Sequence, residues 1–482
     1  MPLAVAAVSV IQYLPAVRYG FVFDDLSLLD ADGTPQPLGG WIPYRPVRYL
    51  SYFVDHWLGG TPQIFHLDNA LLHAAVAALV TVLARRFGSG RTAAAAAGLF
   101  VAVHPLAVEA AAYVAGRRDL LCVLFGLGAV LAQHGGRLRS AMALLVLSVA
   151  AKESGLVFAA PLVATSILAI DAEIRARGAR SRRVAAVLAA VCAAAACMLA
   201  YGATGPWLPP LDLSGVALAG RVAVHYATGV AGLRALRPEY PELTAFLAHA
   251  RSGDVASLLL GSLATSAALA ALASFTMSAT PDGDAPGVAG CSRSGARDAR
   301  RIVFAWFATT VVALSIWGGL HEPGADRHAY LLLPPLAIGL ALALSKLSKP
   351  AGVRFAVTAC VVVVLCVLAS ASRAQMTIWS SDRALWASAV SGPSPSSRAR
   401  TNYARVLAGV GQYDAAVSHL DIASRESPGD PLPYLARAAI DCATRHPART
   451  RRDLAGALER GAEPGAAAEI AASCAAVRQD VP

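Results

Sequence analysis

Charge is scarce in this sequence. Asp, Glu, Lys and Arg make up 15% of its 482 residues, against about 25% in ordinary soluble domains. A two- or three-domain cytosolic enzyme is therefore excluded. Common catalytic signatures are missing as well: there is no Walker loop, GxGxxG, HExxH or GxSxG. The energy for any reaction must then come from the substrate, as with an activated lipid-linked group. The eight cysteines form no CxxC, so neither a zinc site nor a disulfide framework follows from their spacing. Cys442 and Cys474 share the C-terminal region and can pair if that region is extracytoplasmic. The N-terminus has no basic n-region, and Pro15-Ala16-Val17-Arg18 is a poor cleavage site, which argues against a cleaved signal peptide.

What the chain does have is apolar sequence. Hydrophobic residues make up 56%, too many for disorder. Several runs approach or exceed the roughly 18 residues that mark a bilayer span. Only helices and closed barrels satisfy their backbone in lipid, and barrels lack long apolar runs. The expected fold is an all-α polytopic bundle. Eleven spans are predicted, at about 1–17, 67–84, 92–109, 119–133, 140–151, 155–170, 184–203, 255–279, 302–319, 330–345 and 355–371. The net charge of +10 reads as basic cytoplasmic loops rather than nucleic-acid binding. One set of loops carries 17 Lys and Arg in about 57 residues, and the other carries 11 in about 121. The first set is expected to be cytoplasmic. Loops 18–66, 110–118, 204–254 and 320–329, and the tail after about 372, then face outward. Residues 280–301 read as a flexible cytoplasmic linker. Heavy use of Ala, and of Arg over Lys, is the composition of a GC-rich bacterial genome, so a bacterial cytoplasmic membrane is expected.

Three domains are expected: a membrane domain over 1–372, a linker over 373–397 and a helical domain over 398–482. In the last, Gly411, Tyr413, Ala416, Leu420, Ala423 and Pro428 fall at the spacing of one tetratricopeptide (TPR) repeat. A second copy is read with Ala455 and Ala462 in the same roles, at a spacing of 39 rather than 34.

Polar residues at the outward ends of spans are the chemical candidates, because charge at membrane depth is costly. Asp24-Asp25 is an acid pair flanked by aromatics. It can serve as a general base or hold a divalent cation, or it can be a solvated helix cap. His104, Glu109, Arg117, Arg118 and Asp119 bring cations and acids together after the third span. They suit an anionic headgroup such as a phosphate diester, or they are membrane-edge anchors. Lys152-Glu153 is a polar patch in the bundle or a mutually neutralised pair. Arg327, with Asp326, His328 and Tyr330, is a second phosphate clamp or part of an exposed connection. His66, Asn69 and His73 line a cavity or serve structure. Arg45 and Arg48 are interfacial anchors or lipid-phosphate contacts.

In order along the chain stand Val22-Phe23-Asp24-Asp25, Tyr44-Arg45-Pro46, Phe65-His66-Leu67-Asp68-Asn69, His104-Pro105 with Glu109, Gly116-Arg117-Arg118-Asp119, Lys152-Glu153-Ser154-Gly155, Asp326-Arg327-His328-Ala329-Tyr330 and Trp379, ahead of a helical tail. This series resembles the transmembrane-and-TPR protein O-mannosyltransferases and their bacterial relatives, among the GT-C glycosyltransferases. The resemblance implies a many-helix membrane fold with a large first extracytoplasmic loop, a polyprenyl- or dolichyl-phosphate sugar donor, and an extracytoplasmic acceptor, protein or glycan. It places the catalytic acids on Asp24 and Asp25, with Glu109 orienting them. It places donor-phosphate contacts on Arg117, Arg118, Arg327 and Tyr330, supported by His104, Asp119, Lys152 and Glu153. The expected reaction is an inverting transfer of a hexose such as mannose, with an Asp as base. The chain departs from the pattern in its short first span, its middle loop and its few repeats. A lipid or solute transporter, a membrane scaffold with a TPR adaptor and a lipid-linked polysaccharide ligase are the rival readings.

Overall fold

The computed structural model describes residues 1–30, 32–36, 45–174, 213–232, 236–241, 293–317, 325–346 and 350–479. The expected spans 184–203 and 255–279, and residues Trp41, Tyr44, His321 and Glu322, lie outside them. Among the described residues all regular structure is helical, apart from one isolated bridge between Leu29 and Pro35. The chain divides into two compact units. The first comprises Met1–Leu236 and Leu243–Ser380, the second Arg237–Glu242 and Ser381–Pro482.

The first unit contains α1 (Pro2–Tyr13), α2 (Asp25–Leu28), α3 (Pro46–Trp57), α4 (Pro62–Arg86), α5 (Arg91–Val103), α6 (Val108–Ala111), α7 (Arg117–His134), α8 (Leu138–Ala151), α9 (Ala159–Ile174), α10 (Leu213–Val230), α11 (Arg293–Trp317), α12 (Leu333–Leu344) and α13 (Ala351–Ile378). The central element is α4. It packs on α1, α5 and α7, and its buried face carries Phe65, His66, Asn69, His73, Ala77, Val80 and Thr81 at helical spacing. Close approach to α5 depends on Gly98, where a Cβ would fall 2.0 Å from the Thr81 hydroxyl.

Among the described residues, three segments are long and apolar enough to cross a membrane: α4, the stretch Asp326–Leu344 and α13. The pair Arg91–Val103 and Pro105–Ala111, bent by 53°, makes a fourth if it is one span. The count of eleven spans is not confirmed among the described residues, and two of the eleven lie outside them. Pro2–Arg18 and α8 are apolar but short, and α7 opens with Arg117, Arg118 and Asp119. The bend in the third expected span has a local cause. Pro105 has no N–H and ends α5. His104 Nδ1 accepts the N–H of Leu106 at 3.2 Å, which leaves Nε2 to face the Val230 carbonyl at 3.2 Å.

The second unit is a succession of short helices: α14 (Asp382–Val390), α15 (Ser397–Gly409), α16 (Tyr413–Glu426), α17 (Leu432–Ala443), α18 (Pro447–Glu459) and α19 (Pro464–Gln479). Residues 373–397, expected as a linker, hold the end of α13 and all of α14. The helices α15 and α16 pair around Ala404, Leu407, Ala416 and Leu420, and α17 and α18 around Leu435, Ala438, Leu454 and Ala457. The second pair repeats the first at 34 residues, not 39: Thr450, Leu454 and Ala457 take the buried places of Ala416, Leu420 and Ala423. Ala455 is exposed. Gly411 sits in the left-handed turn of the first pair with φ +77°, and Arg445 takes that place in the second with φ +62°. A disulfide joins Cys442 on α17 to Cys474 on α19. The segment Arg237–Glu242 belongs to this unit, where Glu239 accepts from the Ser396 hydroxyl and, at 2.5 Å, from the Arg398 guanidinium.

Candidate functional site

Four connections of the first unit meet at one place: the loop after α1, the α5–α7 connection, the α8–α9 turn and the turn Asp326–Leu332. The α5–α7 connection is pinned from three sides. Asn69 on α4 donates to the Tyr113 carbonyl at 2.9 Å. The Tyr52 hydroxyl on α3 donates to the Val114 carbonyl at 3.2 Å. The N–H of Ala115 donates to Asp25 Oδ1 at 2.7 Å. Gly116 closes the turn, since a Cβ there would fall 2.6 Å from the carbonyl oxygens of Glu109 and Ala110. The helix α7 can therefore start at Arg117, directly beside Glu109.

The two members of the acid pair are used differently. Asp25 is fully buried. Its carboxylate takes the N–H of Ala115 and, through Oδ2 at 3.1 Å, that of Val22. Burial pushes its carboxyl up to about 8, against the pull of those two bonds, and the charge of Asp24 adds to the rise. Asp24 is half-buried, and its side chain makes no hydrogen bond or ion pair among the described residues; only its backbone carbonyl is engaged.

The basic residues divide the same way. Arg117 is wholly buried. It pairs with Asp55 at 2.5 Å and Asp68 at 3.2 Å, donates to Asn69 Oδ1 and the Phe65 carbonyl at 2.8 Å each, and lies over the Tyr52 and Phe65 rings. It holds α3 and α4 against α7. Arg118 is nearly buried, and its nearest carboxylate oxygen, on Asp119, is 3.7 Å from Nε. That Nε has no hydrogen-bond partner. Its charge interacts with Asp119, Tyr113, Asp24 and Glu153.

The remaining charges are cross-paired between connections. Lys152 binds Asp119 at 2.6 Å. Glu153 takes two bonds from Arg45, at 2.6 and 3.0 Å, so Lys152 and Glu153 do not simply neutralise each other. Glu109 accepts both the N–H of Arg327, at 2.8 Å, and its guanidinium. Four cations, Lys152, Arg327, Arg118 and Arg45, act on His328.

The geometry thus brings together Asp24, Asp25, Glu109, Arg118, Asp119, Lys152, Glu153 and Arg327. His104 stands apart on the Val230 carbonyl. The Tyr330 hydroxyl points into the bundle at His73 Nδ1, 2.8 Å away, and His66 faces the Gly20 carbonyl at 3.3 Å; His66, Asn69 and His73 all have protein partners. Asp55 and Tyr113 belong to the site or its frame beyond the residues named from sequence. Arg45 was read as an interfacial anchor or lipid-phosphate contact, but its reach to Glu153, 108 positions away, was not legible. Among the described residues no group of three or more His, Cys, Asp or Glu could hold a metal ion. Chemically, the described residues offer a carboxylate, Asp24, without a side-chain partner among them and a guanidinium, Arg118, whose charge interacts with it and whose Nε is unpartnered.

No family model matches the chain. Curated proteins do. The chain is 33% identical over 141 residues to Protein O-mannosyl-transferase Tmtc1 of Drosophila melanogaster, covering 25% of this chain and 16% of that protein. It is 38% identical over 137 residues to Tmtc2 of the same organism, covering 24% and 15%. It is 31% identical over 157 residues to human TMTC4, covering 26% and 21%. The matches thus span about a fifth or less of those proteins' lengths. Over about a quarter of its own length, the chain is similar to the TMTC proteins.

Proposed function

We propose that this chain is a membrane glycosyltransferase that moves a hexose, mannose by the names of its relatives, from a polyprenyl-phosphate donor to a hydroxyl of an extracytoplasmic protein. One observation carries the reading. Among the described residues, the Asp24 carboxylate makes no hydrogen bond or ion pair, and its charge acts on Arg118, whose Nε has no hydrogen-bond partner there.

The roles follow from the geometry. The acceptor hydroxyl oxygen attacks the anomeric carbon while Asp24 takes its proton. The bond from that carbon to the phosphate oxygen breaks, and the electron pair leaves with the lipid phosphate. Arg118 stabilises the charge that the phosphate gains. A phosphate diester is already a good leaving group and needs no dedicated acid. A single displacement inverts the anomeric centre. Asp25 is a positioning residue: through Val22 and Ala115 it ties the Asp24 loop to the turn that carries Arg118. Glu109 positions Arg327 and the turn around His328.

The helical pairs of the tail, at a period of 34 residues, support reading it as TPR-like. The Cys442–Cys474 bridge suits an oxidising, extracytoplasmic compartment.

The test is transfer of labelled hexose from its polyprenyl phosphate by the purified full chain. Asp24→Asn is expected to abolish transfer, a loss of about 10³-fold or more, without lowering the unfolding midpoint. Asp25→Asn is expected to lower both, because an amide nitrogen cannot accept an N–H bond. Wild-type transfer by Asp24→Asn would overturn the mechanism.

A further inference from the structure

Tyr113 is the largest polar side chain in this site that the reaction above does not use. It is fully buried. Its ring stacks on Trp379, with centroids 4.8 Å apart and 30° between planes, and on its other side faces Phe23 at 6.4 Å and 21°. Among the described residues its hydroxyl has no hydrogen-bond partner, and neither has the indole N–H of Trp379, which is also buried. Buried Tyr and Trp side chains normally find a partner for their polar end. Two orphaned groups on stacked neighbours therefore ask for a common cause.

Their surroundings supply one. Tyr113 interacts electrostatically with Asp25, Asp24, Arg327 and Arg118. Burial and the two aspartates push its hydroxyl well above its ordinary range, so it remains a neutral donor and acceptor. Phe23, on the far side of the stack, immediately precedes Asp24 and holds a left-handed φ of +52°, the kind of backbone strain that collects at ligand sites. Trp379 caps α13, the apolar helix just ahead of the tail unit. The stack thus joins the base loop, the arginine turn and the end of an apolar span.

We propose that the Tyr113 hydroxyl and the Trp379 indole N–H bind hydroxyl groups of the transferred sugar, and so help to select which hexose is moved. The ligand chemistry is that of a neutral pyranose rather than a phosphate. Neither group carries charge, and both are hydrogen-bonding edges of aromatic rings, while Arg118 serves the anion. This subsite rests on the glycosyltransferase reading, and its test separates the two.

Full-length protein in nanodiscs is given polyprenyl-phosphate mannose and the 2-, 3-, 4- and 6-deoxy forms of that donor. Donor affinity, kcat/KM and the unfolding midpoint are measured for wild type, Tyr113→Phe and Trp379→Phe. Tyr113→Phe keeps the stack and removes the orphaned hydroxyl. It is expected to unfold at a temperature no lower than wild type without donor, yet to gain less from the donor. Its kcat/KM for the parent donor is expected to fall by about 10- to 100-fold. For one deoxy donor it is expected to equal wild type, because the missing hydroxyl is the one Tyr113 binds. Trp379→Phe is expected to show the same convergence at a different or adjacent position. Equal losses with every donor, a lowered midpoint without donor, or no change in affinity would each overturn the subsite. If the wild type binds donor but transfers nothing, the catalytic reading falls while the affinity comparison still decides the subsite.

Discussion

Arg117 and Arg118 are adjacent in sequence and opposite in use. Successive residues on a helix point about 100° apart, so the start of α7 sends one guanidinium inward and the other toward the acid pair. Arg117 is the counter-charge of Asp55 and Asp68 inside a closed frame. Removing one partner of such a buried pair destabilises by about 3–5 kcal/mol. Arg117→Gln is therefore expected to lower the unfolding midpoint steeply and to lose transfer only as the fold is lost. Arg118→Gln removes a charge with an unpartnered Nε. It is expected to change stability by about 1 kcal/mol or less and to lower kcat by about 10²–10³-fold. Unfolding scans beside transfer assays distinguish the two; similar destabilisation in both variants would contradict the assignment. The sequence named both residues as phosphate contacts. It could not say which side chain turned inward, because that depends on where α7 starts, and Gly116 sets that start. Lys152 and Glu153 were legible as a pair of charges in apolar sequence. Their partners, Asp119 and Arg45, come from other elements, which spacing along one segment does not reveal.

At the scale of elements, periodicity was legible where turns carried their usual residues and hidden where they did not. The third expected span, 92–109, ran through Pro105, where the structure bends by 53°, because hydropathy does not register the missing N–H. In the tail, Gly411 and Pro428 exposed the first helical pair. The second was misplaced by five residues because Arg445 occupies the left-handed position where Gly411 stands one repeat earlier. A non-glycine residue there brings Cβ too close to the next carbonyl, costing roughly 1–2 kcal/mol, part of which glycine's greater unfolded-state freedom offsets. Arg445→Gly is therefore expected to stabilise the tail by about 0.5–1 kcal/mol. Gly411→Ala is expected to destabilise it by about 1 kcal/mol, since there is open space around the glycine and only the backbone objects. Thermal or urea unfolding, followed by hydrogen exchange of α15 to α18, reads both. A destabilised Arg445→Gly would show that the arginine side chain, not the turn, holds that corner.

At the scale of the whole molecule, chain connectivity bears on topology. Residues of the 204–254 loop and of the C-terminal tail belong to one compact unit, tied by Glu239 to Ser396 and Arg398. They must therefore lie on the same side of the membrane, which no hydropathy count requires. The excess of Lys and Arg in the other loops is the basis for expecting that side to be outside, and the bridge between Cys442 and Cys474 fits that expectation, because such bonds persist in oxidising compartments. The bridge closes a loop across a sequence separation of 32, so its loss is expected to destabilise the tail by about 3–4 kcal/mol on loop-entropy grounds. Both statements are checked in one preparation of sealed, right-side-out membranes. After mild reduction, an impermeant maleimide is expected to label the chain, and Cys442→Ala with Cys474→Ala is expected to remove the reduction-dependent label. Cys360 and Cys366, exposed on the apolar helix α13, are expected to stay unlabelled, because lipid covers that face. Reduction-dependent labelling only after the membranes are opened would put the tail, the 204–254 loop and, with them, the proposed acceptor side in the cytoplasm. The acceptor would then have to be a cytoplasmic one.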